Sequence, residues 1–102
     1  MKLIETLSEK ISEEICDAKS YAELAIENKD SYPELAQTLY ELSVEEMGHM
    51  SRLHTAVASI IEKYRKEKGE PPAAMLAVYD YLHKQQIEKA AEAKAMQELF
   101  KS

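Results

Sequence analysis

"ENKDSYP", residues 27–33, and its counterpart "KEKGEPP", residues 66–72, decide the fold, because they are the two places where turn-forming residues gather. Ser31 or Asp30 can cap a helix that carries Pro33 in its first turn, and Gly69 with Pro71 and Pro72 ends that helix and starts another. Outside these stretches helix formers dominate: the 102 residues contain two glycines, three prolines and no tryptophan, and are 45% hydrophobic and 31% charged. The reading is a single all-α domain of three helices, at about 3–28, 32–67 and 72–100. A chain this short is near the size at which association often adds stability.

Charge and cysteine usage narrow the function classes. A net charge of -6 argues against a nucleic-acid or anionic-membrane partner, both of which need a basic surface. Cys16 is alone among polar helical neighbours, which excludes an internal disulfide framework, fits a reducing compartment and marks the thiol as incidental. The opening "MKLIETLSEKIS" has no apolar core of signal-peptide length, and the longest apolar run, "AAMLAVY", is far short of the roughly 20 residues a membrane span needs. A soluble, cytoplasmic protein is expected.

The apolar spacing locates the chemistry. A 3-4 repeat in the first helix runs Ile4, Leu7, Ile11, Glu14, Ala18, Tyr21, Ala25. In the second it runs Leu35, Leu39, Leu42, Glu46, His49, Leu53, Ala56, Ile60. Glu14, Glu46 and His49 therefore replace apolar residues on two seams, whereas Glu13 and Glu45 fall in polar rows and face water. If the helices form an antiparallel hairpin turning near residue 30, Glu14 lies about 16 residues before the turn, with Glu46 and His49 about 16 and 19 after it. That is roughly 24 to 28 Å along the axes at ~1.5 Å per residue. Face and height thus agree.

Unpaired buried carboxylates cost several kcal/mol or become protonated, so such a cluster needs a compensating partner. Carboxylate oxygens and a neutral imidazole at one height suit Fe, Mn or Zn, and Glu46-x-x-His49 brings an oxygen and a nitrogen to one ion from one helix. A metal-free salt bridge between the acids and His49 is the plainer alternative. Gly48, between the two candidate ligands, points to a close helix approach or a local bulge.

The set Glu14 and Glu46-x-x-His49, with Tyr21 seven residues after Glu14, resembles one half-site of the ferritin-like di-iron carboxylate proteins, rubrerythrins and bacterioferritins among them. The resemblance covers residues 4–64. It implies that Glu14, Glu46 and His49 are iron ligands, that Tyr21 supports a ligand carboxylate from behind, and that the site oxidises Fe(II) with oxygen or peroxide. Asp17, one turn from Glu14 on the flank of the seam, reads either as a group that orients His49 or as a surface carboxylate. A full bundle of that kind has four helices and two half-sites, yet the third helix here offers mostly alanine, Glu92 and Lys94 at the level of Glu46. Asp80-x-x-His83 has ligand spacing but sits about ten residues away, roughly 15 Å along the helix.

A homodimer, or a higher homo-oligomer, would supply the other half: an antiparallel hairpin plus a third long helix, dimerising into a four-helix core with the di-iron site between chains. The small encapsulated ferritins, whose site also forms between chains, are similar in this respect. Any electron donor would be a separate molecule. Two other readings stay open: a metal-free helical dimerisation or adaptor module with a buried Glu/His cluster, and one structural zinc per chain. His54, in a row with Tyr40, Met47 and Ile61, reads as a satisfied, partly buried histidine on the surface that receives helix 3. Asp80 and His83 read as a helix-surface pair, and the five methionines as core filler.

Overall fold

The computed structural model describes residues 2–102. Helix α1 spans Lys2–Asn28, α2 Pro33–Lys68 and α3 Ala73–Lys101, all within a residue or so of the bounds the sequence suggests. The three lie side by side in a rod of 56 × 19 × 18 Å. Among the described residues no helix is long and apolar enough to cross a membrane.

The breaks work through different chemistry. Pro33 occupies the first turn of α2, where its missing N–H is no loss, but the N-cap is Tyr32 and no side chain caps the helix, so neither Ser31 nor Asp30 plays that part. At the other end Gly69 takes φ +87° and its N–H closes on the Arg65 carbonyl, a backbone state that favours glycine. Arg65, Lys66 and Lys68 in the last turn complement the negative end of the helix dipole.

Helix α1 is the centre of the packing: α2 runs antiparallel along one flank and α3 parallel along another, while α2 and α3 touch at few points. The buried line of α1 is Ile4, Ser8, Ile11, Ile15, Ala18, Ala22 and Ala25, an unbroken 4-3 repeat without an ionisable group. Ile11, Ile15, Val57 and Ile61 make the main apolar cluster, each worth roughly 1.5–3 kcal/mol of burial. Toward the α1–α2 turn the core thins to Ala25 and Ala36, closed by Phe100 stacked on Tyr40 with ring centroids 5.0 Å apart.

Two buried polar clamps fix the register of α3. The Gln86 amide donates to the Ser8 carbonyl at 3.1 Å and to the Ser8 and Ser12 hydroxyls at 3.1 and 3.2 Å. Further along, Gln97 donates to the Ser43 hydroxyl at 2.8 Å, and Ser43 in turn donates to the Ala18 carbonyl at 2.6 Å, tying all three helices. Shifting α3 by one residue would strand these groups without partners, at roughly 1–3 kcal/mol each. Outside the core, Lys19 reaches Glu92 at 3.2 Å, and Lys29 binds the last carbonyls of α3 at Phe100 and Ser102.

Candidate metal centre

Glu14 on α1 and Glu46 and His49 on α2 meet as their shared height predicts. His49 Nδ1 lies 3.3 Å from Glu14 Oε2 and 3.9 Å from Glu46 Oε2. One donor atom from each of the three falls within 4.8 Å of the others, and this is the one group of three or more potential ligands so placed among the described residues. Donor atoms sharing one ion at bonds of about 2.0–2.2 Å sit roughly 3 Å apart, so a small contraction of side chains would close the set.

The cluster is not in the core of the single chain. Glu14 and Glu46 are half-buried and His49 is 54% exposed, because the centre line of α2 packing runs through Ala36, Ser43, Val57 and Ile61, not through the Leu35-to-Ile60 seam. Leu35, at the start of that seam, and Ala56, near its end, are exposed too. Glu13 and Glu45 face water as their rows require. Gly48 lies in a regular stretch of α2 with nothing within 4 Å of where a Cβ would stand, so neither a close approach nor a bulge explains it within one chain.

The electrostatics of the cluster are those of a site short of positive charge. Glu46 is pushed up from 4.5 to about 7, first by hydrogen bonding to Glu14, then by partial burial and by the charges of Glu14 and Asp17, with His49 acting in the opposite sense. Glu46 thus keeps its proton to higher pH than an ordinary carboxyl, hydrogen-bonded to Glu14. A divalent cation would satisfy the same pair without the proton, and the neutral imidazole of His49 would complete a donor set of two oxygens and one nitrogen.

The flanking residues take varied positions. Tyr21, two turns along α1 from Glu14, is half-buried and makes no hydrogen bond to Glu14 or Glu46 among the described residues. Asp17 is exposed and reaches the cluster through its charge on Glu46. Exposed Leu3 and Leu24 flank the Leu7, Glu14 and Tyr21 row, and Leu35 belongs to the Glu46 seam, so apolar surface lies above and below the cluster on the side turned away from α3.

Elsewhere, His54 is partly buried against α3 in the row that also carries Tyr40. Its partner is His83, with Nε2 to Nδ1 at 3.2 Å, which the Asp80-x-x-His83 spacing alone does not foretell. Cys16 is exposed beside a cleft of about 360 Å³ between α1 and α3, lined by Ile15, Lys19, Leu82 and Lys89 among others. Comparison with protein-family models, curated proteins and solved structures gave no match to this chain.

Proposed function

We propose that the chain is an iron-binding protein of ferritin-like type whose di-iron carboxylate site forms between two copies, and that the assembled site oxidises Fe(II) with oxygen or peroxide. The observation that carries the reading is the convergence of Glu14, Glu46 and His49, from two helices, on the face of the α1–α2 hairpin turned away from α3. Three donors on an open face are half a site, and the same three residues of a second copy supply the rest.

Charge balance supports the pairing. Two copies bring four carboxylates, which two divalent ions neutralise, so the cluster is best satisfied in the assembled, metal-bound form. Leu3, Leu24 and Leu35, 40–51% exposed in the single chain, give that face the apolar area a helix pair would cover. On metal binding Glu46 gives up its shared proton, Glu14 and Glu46 present oxygens, and His49 presents a ring nitrogen. Iron held there would supply the electron-transfer chemistry toward the oxidant. Mn or Zn fits the same donors, further electrons come from a separate donor, and the lone exposed Cys16 fits a cytoplasmic setting.

A second reading has its own observation. The proton shared by Glu14 and Glu46 satisfies the pair without metal near neutrality, as a metal-free dimerisation or adaptor module would require. Metal analysis with sedimentation, after anaerobic incubation with Fe(II), separates the two. About one metal ion per chain, even-numbered assemblies, and loss of metal in Glu46→Ala are expected; a metal-free dimer of unchanged stability overturns the iron reading.

A further inference from the structure

Between α2 and α3 the polar contacts among the described residues are two. Gln97 to Ser43 holds the C-terminal half of α3, where Phe100 also stacks on Tyr40. His54 to His83 holds the N-terminal half, with ring centroids 4.6 Å apart and Nε2 to Nδ1 at 3.2 Å. The first contact involves no titratable group and the second consists of two.

We propose that His54 and His83 form a proton-operated latch, which holds the N-terminal half of α3 against α2 while the pair carries at most one proton beyond its neutral state and releases it when both rings are cationic. A neutral ring can accept from either a neutral or a protonated partner, so the contact survives the first proton. The second leaves two N–H donors facing each other at hydrogen-bond distance, with no acceptor between them and two like charges on stacked rings.

Few charged or titratable groups face the pair. From α3, Tyr79 stacks on His83 at 5.9 Å, and Asp80 lies one turn from His83. From α1, Ile4 and Ile11 fill the adjoining core, and Glu5 and Ser8 line the groove on the Tyr79 side. On α2, Met50, Leu53 and Val57 are apolar, and Arg52 points to the opposite side of the helix from His54. None of these α1 and α2 residues offers His54 a carboxylate partner. Burial, and then His83, hold His54 below its ordinary 6.5. A histidine depressed in the folded state contributes fully above the unfolded value, and that contribution is lost as pH falls below it.

Native-state hydrogen exchange of residues 74–83, which precede the Gln86 clamp to α1, corrected for intrinsic rates, tests the latch at about pH 7 and about pH 5. Opening of this segment should rise about tenfold or more at the lower pH, while the region around Phe100 stays protected. His83→Gln should reduce the rise, because its amide can donate to or accept from His54 in either state and only the burial of His54 is left to oppose its charge; His54→Gln should abolish it. Equal protection of the wild-type segment at both pH values overturns the proposal, as does an unchanged rise in whichever variant folds. Protonation of Glu46 over the same range stabilises the folded chain, so it cannot imitate the loss.

Discussion

Replacing Glu46 by glutamine should make the metal-free protein more stable at alkaline pH and, on the proposed function, abolish metal binding. Glu46 is a carboxyl whose folded-state value is raised, from 4.5 to about 7. The folded chain therefore holds a proton that the unfolded chain releases between those pH values. Its contribution to stability is complete below 4.5 and is lost as pH rises through about 7. Taken at face value the displacement corresponds to roughly 3 kcal/mol. The side chain keeps 19% of its exposure, and solvent screening reduces this to about 1–2 kcal/mol.

The amide introduced by Glu46→Gln needs no proton to hydrogen-bond to Glu14, so the variant should regain that amount at pH 8. For a domain of this size the melting temperature should rise roughly 5–15 °C. Thermal unfolding in the presence of a chelator, followed by circular dichroism at about pH 8 and about pH 5, reads the effect: a clear gain at the first and a smaller one at the second. Adding Fe(II) or Zn(II) at pH 8 should reverse the order, because only the wild type is stabilised by metal. A Glu46→Gln protein less stable than wild type at pH 8, or one with the same gain at both pH values, would refute the shared-proton account.

Three further outcomes follow from the same structure. Metal affinity, measured by calorimetry in buffers of different ionisation enthalpy, should fall toward tenfold per pH unit below about 7, with close to one proton released per ion bound, as Glu46 must deprotonate to bind. The two glycines should respond with opposite signs in chemical denaturation: Gly48→Ala, in open space within a helix, gains about 1 kcal/mol, whereas Gly69→Ala, at φ +87°, loses about the same. Leu35→Glu, at a position already 49% exposed, should cost the folded monomer no more than about 0.5 kcal/mol yet abolish metal-dependent pairing in sedimentation; pairing that persists moves the interface off this face.

Much of the site could be read before any coordinates, because face and height are properties of helical period and turn position. Glu14, Glu46 and His49 converge since one repeat aligns each with its seam and the break at residues 27–33 sets the register. The separation of Glu45 from Glu46 follows from the same period. The His54–His83 pair was only half visible. The row through Tyr40 and His54 points to α3, but nothing in "DYLH" says that His83 answers it. The serine partners of Gln86 and Gln97 lie across the helices and are seen only in the folded chain.

The sequence by itself determined three helices, their ends and the rows that share a face, because periodicity and breakers act within a few turns of the chain. What it could not settle is which of two overlapping seams on α1 the chain uses for itself. Ile4, Ile11, Ala18 and Ala25 belong to both; Leu7, Glu14 and Tyr21 complete one, and Ser8, Ile15 and Ala22 complete the other. Only the tertiary structure decided between them. Docking α3 against the second line buries its isoleucine and small residues at no electrostatic cost, whereas burying the first against α3 would strand Glu14 without a compensating charge. The seam that carries the carboxylate is therefore the one left open.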